Sequence, residues 1–98
     1  MISNDLSIQN ISKIYDKLKQ YVIKTPLIKA NQELNNFFNT NLYLKCEFLQ
    51  KSGSFKVRGA TNNILSLDKK KLSKGITAIS AGNHGIAASF VSNQFNLK

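Results

Sequence analysis

Residues Ser52-Gly53-Ser54-Phe55-Lys56-Val57-Arg58-Gly59-Ala60 (SGSFKVRGA) lie where a strand-like run gives way to a helical one. Before them, Leu42 to Leu49 (LYLKCEFL) mixes alternation with aromatic and aliphatic residues, which predicts a strand. After them, Val57, Ala60, Ile64 and Leu67 fall on one helical face, predicting a helix from Phe55 to about Leu67 that starts at Ser52-Gly53-Ser54. Serines suit such a start. Lys56 and Arg58 do not, because they put two positive charges in the first turn, where the backbone dipole is also positive.

The same order recurs downstream. A polar connector, Asp68 to Gly75, leads to Ile76-Thr77-Ala78-Ile79-Ser80, a β-branched run that reads as a buried strand, although its length also fits a helical turn. Ala81-Gly82-Asn83-His84-Gly85 then turns the chain, and Ile86 to about Phe95 returns to a helical pattern. Strand, glycine turn and helix thus occur twice, which predicts an α/β fold with strand-loop-helix units on a largely parallel sheet. Upstream, Ile8, Ile11, Ile14, Tyr15, Leu18 and Tyr21 recur at helical spacing, and Thr25-Pro26 ends that helix. Pro26-Leu27-Ile28 reads as a short extended piece, and Asn31 to Phe38 as a short helix ending near Asn39-Thr40-Asn41. Two strands with their helices cannot close a sheet covered on both faces, so a truncated protein is expected.

The chain has 98 residues, enough for one core. It is 42% hydrophobic with no Trp, and no apolar run is long enough to span a bilayer, so no membrane partner is expected. The opening MISNDLSIQN fits neither a secretory signal nor an Arg-rich transit peptide, which predicts a cytoplasmic location. Cys46, the single cysteine, excludes an internal disulfide and a multi-cysteine metal site, and reads as a small core residue. The net charge of +9 raises nucleic acid as a partner. A small basic binding domain is therefore the alternative class, but apart from Lys69-Lys70-Lys71 the basic residues are scattered, and no nucleic-acid partner is expected.

In open parallel sheets ligands bind beyond the carboxyl ends of strands, where helix N-termini attract anions. Both glycine turns occupy such places. At the second, Gly82 and Gly85 let the backbone approach a ligand, Asn83 offers a donor and an acceptor, and the amides around Asn83 and His84 suit a carboxylate. Each residue also has an ordinary structural use: Asn83 stabilising its own turn, His84 as a hydrogen-bonding group, Ser80 as a helix cap. Lys56 has one too, as a solvated lysine, with Arg58 a surface ion-pair former. Yet a lysine attacks a carbonyl only as the neutral amine, and a helix start, a neighbouring cation and partial burial all disfavour the ammonium. Gly59 and Ala60, three and four places on, leave room beside it.

SGSFKVRGA after KCEFLQ, followed by SAGNHG and preceded by Thr25-Pro26-Leu27, closely resembles the pyridoxal-phosphate enzymes of fold type II, in particular the threonine dehydratase and serine racemase group. The resemblance implies a partial tryptophan synthase β-like fold, with residues 1–74 the N-terminal part of the large cofactor domain and 75–98 the start of the small domain. It implies that Lys56 holds pyridoxal 5'-phosphate covalently and removes the substrate α-proton, with Phe55 packed beside the cofactor. Asn83 would hydrogen-bond the cofactor's 3'-oxygen, and Ser80, Asn83 and His84 would hold the carboxylate of a small amino-acid substrate.

Val57 after the lysine differs from threonine synthases, and Ala81 stands where serine racemases carry a second serine that acts on the opposite face of the substrate. Without that hydroxyl, loss of water from L-threonine or L-serine is expected rather than racemisation, although a racemase-like enzyme remains the alternative. By the same resemblance the full-length protein is expected to be a homo-oligomer, a dimer or tetramer. The glycine-rich loop for the cofactor phosphate and the group facing the pyridine nitrogen are expected beyond position 98, so an isolated fragment is expected to be inactive.

Overall fold

The computed structural model describes residues 6–98; the first five residues of the opening stretch read above for targeting signals lie outside the described residues. Helix α1 (Ile8–Leu18) is capped by Ser7, whose hydroxyl accepts from the Asn10 amide at 3.2 Å. Only the C-terminal half of its apolar stripe is covered: Leu18 is buried and Ile14 half-buried, while Ile8 and Ile11 are exposed. Thr25-Pro26 then forces the chain into extended geometry, as expected, and strand β1 (Leu27–Lys29) follows.

Asn31 caps helix α2 (Gln32–Phe38), its side chain accepting from the Leu34 amide at 3.0 Å, and left-handed Asn39 (φ 49°) ends it. Within α2 the buried Asn35 accepts from the Leu42 amide at 2.9 Å and donates to the Ala30 carbonyl at 3.4 Å. It ties the helix to both chains at one end of the hairpin that β1 makes with strand β2 (Tyr43–Lys45). The register pairs Leu27 with Lys45, Ile28 with Leu44 and Lys29 with Tyr43.

This pairing is antiparallel, which corrects the expected parallel sheet. The expected second strand, Ile76 to Ser80, is extended chain without a ladder. A strand exists only through bonds to a neighbour. Here the Ile76 amide reaches the Lys98 carbonyl at 2.9 Å, but Ile79 stands fully exposed, and among the described residues no second backbone bond follows along the run. The strand expected over Leu42 to Leu49 is likewise cut to three residues, because the chain turns through two short 3₁₀ turns (Glu47–Leu49 and Lys51–Gly53) before helix α3 (Lys56–Ser66).

The core lies among helices. Val57 and Ile64 of α3 pack with Leu18 and Val22 at the end of α1 and with Ala87 and Val91 of helix α5 (Asn83–Gln94). The Tyr21 and Phe95 rings, with centroids 5.1 Å apart, close one end of it. The connector between α3 and α5 contains one further helical turn, α4 (Lys69–Leu72), capped by Asp68, whose carboxylate accepts from the Lys71 amide at 2.8 Å. Val91 is fully buried. Val91→Ala is expected to lower stability by about 2 kcal/mol, read as a shift of the urea midpoint at unchanged slope.

Candidate active site

The start of α3 is built by a sharp reversal of the backbone. Ser52 (φ 65°) and Gly53 (φ 74°) are both left-handed, a conformation that costs a serine more than a glycine. Ser54 is buried and extended, and its hydroxyl accepts from the Lys56 amide at 3.4 Å. Phe55 already has helical geometry, so Lys56 opens the helix, with no acid in the first turn. The Lys56 side chain is exposed, its Nζ 5.2 Å from the centroid of the Phe55 ring.

Arg58 turns the other way. Its Nε donates to Glu47 Oε2 at 2.9 Å and its Nη2 to Glu47 Oε1 at 2.8 Å, while Nη2 also reaches the Ile23 carbonyl at 3.1 Å. The Thr25 hydroxyl donates to the same carboxylate. Gln50 completes the join by donating to the Ile23 carbonyl at 2.8 Å and accepting from the Ile23 amide at 2.9 Å, and Lys45 Nζ caps the Thr25 carbonyl at 2.7 Å. The Arg58 hydrogen bonds hold the Glu47 carboxyl down at about 2, against the opposing effect of its partial burial and with help from Thr25; Glu47 in turn raises Arg58. Of the three influences expected to act on the Lys56 amine, the helix start is present. Burial is not, since Lys56 is exposed, and the neighbouring cation has its charge met by Glu47.

The second glycine turn lies beside the first. Ser80 accepts from the Gly82 amide at 3.2 Å, so it closes the turn rather than capping α5, which begins after Gly82. The first helical bond of α5 is donated by Ile86 to the Gly82 carbonyl at 3.2 Å, which leaves the amides of Asn83, His84 and Gly85 ahead of it. A β-carbon on Gly85 would stand 3.2 Å from the Ser80 carbonyl oxygen, so a bare backbone is what lets turn and helix meet. A cleft of about 360 Å³ is lined by Phe55, Lys56, Arg58, Gly59, Ala60, Asn63 and His84. His84 and Asn63 also line a smaller neighbouring hollow of about 90 Å³ toward Ile76 and Ala78. Phe55, Lys56 and His84 therefore share one cleft. Ser80 and Asn83 are exposed and do not line it.

Residues 18–98 match the family model described as pyridoxal-phosphate dependent enzyme. The chain belongs to this family. It is 45% identical over 87 residues to a serine racemase from Dictyostelium discoideum, covering 89% of this chain and 26% of that protein. It is 44% identical over 92 residues to a biosynthetic L-threonine dehydratase from Lactococcus lactis, covering 94% and 22%. The crystal structure of serine racemase from Dictyostelium discoideum superimposes with a TM-score of 0.82 at 44% identity, covering 92% of this chain and 29% of that one. The chain spans about a quarter of the length of the curated relatives it matches. It thus corresponds to part of a fold type II pyridoxal-phosphate enzyme and is related to serine racemases and threonine dehydratases.

The residues around Lys56 suit such a cofactor at its aldehyde end. A primary amine faces an open cleft, a β-carbon on Gly59 would meet nothing within 4 Å, and the Phe55 ring offers an apolar face. Asn63, seven residues after Lys56, was missed in the sequence. The series Lys56, Gly59, Ala60, Asn63 has helical one-face spacing and would have found it. Glu47, Thr25 and Gln50 were missed as well, since partners 11 to 27 residues apart leave no periodic mark.

Because the Glu47 carboxyl lies near 2 in the folded chain and at about 4.5 ordinarily, its contribution is fully present above about pH 5 and is lost as pH falls toward 2. Glu47→Gln is expected to lower stability at neutral pH by about 1–3 kcal/mol and to flatten this acid limb, measured as urea midpoints from pH 7 to pH 2.

Proposed function

We propose that the chain is the N-terminal part of a pyridoxal-phosphate-dependent hydroxy amino acid dehydratase that converts L-threonine, or L-serine, to a 2-oxo acid and ammonia. The single observation that favours dehydration over racemisation is Ala81, an exposed methyl at the turn before Gly82. Racemisation needs a proton donor on each face of the α-carbon, and a methyl cannot supply the second. Loss of water needs one base and a way to hold the charge left behind.

Lys56 is the residue we assign as cofactor attachment point and base. Support comes from its place at the start of α3 and from the cleft it shares with Phe55 and His84. When bound, the cofactor supplies an electron-withdrawing ring that accepts the charge of the α-carbon. Phe55 would pack beside it, and Asn83 would donate to its 3'-oxygen. The amides at the start of α5, with Ser80, Asn83 and His84, would hold the substrate carboxylate at the positive end of that helix. Lys56, its amine freed once the substrate amine takes its place, would remove the α-proton and return that proton to the β-hydroxyl, which leaves as water; the enamine product would then take up water to give the 2-oxo acid and ammonia. The division at residue 74 between a cofactor domain and a small domain, a homo-oligomeric assembly and a cytoplasmic location are part of the same proposal. Among the described residues no helix is long and apolar enough to cross a membrane.

Adding pyridoxal phosphate to the full-length protein is expected to produce a visible absorbance band that Lys56→Ala abolishes; a band retained in that variant would sink the assignment of the lysine. The same protein is expected to form 2-oxobutanoate from L-threonine and little D-serine from L-serine, with Ala81→Ser raising the D-serine yield. Abundant D-serine from the unmodified protein would favour the racemase alternative.

A further inference from the structure

Glu47 is one of five acidic residues against fourteen basic ones, and it is the one paired with the first turn of α3. Its side chain is 17% exposed and Arg58's is 25%, so both charges are largely removed from water and the pairing has two parallel hydrogen bonds. Such a fork fixes direction as well as distance. The same carboxylate holds the Thr25 hydroxyl, and the same guanidinium reaches the Ile23 carbonyl at 3.1 Å. Three segments distant in sequence, 23–25, 47–50 and the start of α3, are thereby locked together.

Lys56 and Arg58 are two residues apart on one helix, so their side chains leave it in nearly opposite directions. With the guanidinium held by Glu47, the first turn cannot rotate without breaking the fork, and Lys56 is kept at the cleft that it lines with His84 and with Arg58 itself. We propose that Glu47 is a positioning residue for Lys56, acting through Arg58 to fix the rotation of the first turn of α3. This rests on the assignment of Lys56 made above.

The test uses the full-length protein titrated with pyridoxal phosphate, reading the visible band for occupancy and the induced circular dichroism of that band for orientation. Glu47→Gln is expected to bind the cofactor about tenfold more weakly. At saturation it is expected to lose about half or more of the induced signal, while the far-ultraviolet spectrum is unchanged. Arg58→Lys retains the charge and loses the fork, and is expected to lower the induced signal similarly, which serves if the glutamine variant does not fold. Wild-type affinity and wild-type induced signal in either folded variant would overturn the positioning role alone. A wild-type protein with no visible band would overturn both this role and the assignment of Lys56.

Discussion

The Glu47 and Arg58 pair is the constraint on which the arrangement around the cleft depends. A helix that begins with Lys56 and Arg58 and no acid carries its own positive dipole end and two cations together. Left so, the first turn would tend to fray. Glu47 compensates from outside the helix, and it does so as a hydrogen-bonded fork, which sets the helix axis and its rotation at once. The join extends through Thr25 and Gln50 to the segment just after α1. It therefore connects the start of α3 to the same chain that buries Leu18 and Val22 beneath it.

Apolar packing does the complementary work. Val57 and Ile64 face the core from α3 while Lys56, Gly59 and Asn63 face the cleft from the other side. Ala87 and Ala88 of α5 are buried, and their small size lets the two helices approach closely enough for His84 to reach the cleft. The two glycine turns, distant in sequence, thus meet because their helices share a core rather than because a common sheet holds them.

How legible this was depends on the kind of interaction. Periodic apolar spacing located α1, α3 and α5, whereas the helical turn that Asp68 caps within the polar connector carried no such periodicity. The sheet was misjudged, because alternation in Leu42 to Leu49 and β-branching in Ile76 to Ser80 describe a tendency, whereas a ladder needs a partner. Tyr43 to Lys45 found one in Leu27 to Lys29, and Ile76 to Ser80 did not. Lys56 and His84 were found from local strings. The fork was not, because a Glu and an Arg eleven residues apart say nothing of each other until the chain has folded. The helix start at Lys56 was visible in the sequence, whereas the ion pair that Arg58 makes with Glu47 was not.

The consequence reaches the chemistry. A basic residue at a helix start can repel a second cation or can be aimed by it, and the two cases differ in where the second charge is held. With the Arg58 guanidinium engaged by Glu47, the Lys56 amine stands at the cleft with the helix dipole and the Phe55 ring beside it. Lys56 lines the same cleft as His84, whose amide precedes the first helical bond of α5. Ala81 at that turn is exposed and offers only a methyl, so it supplies no proton donor there.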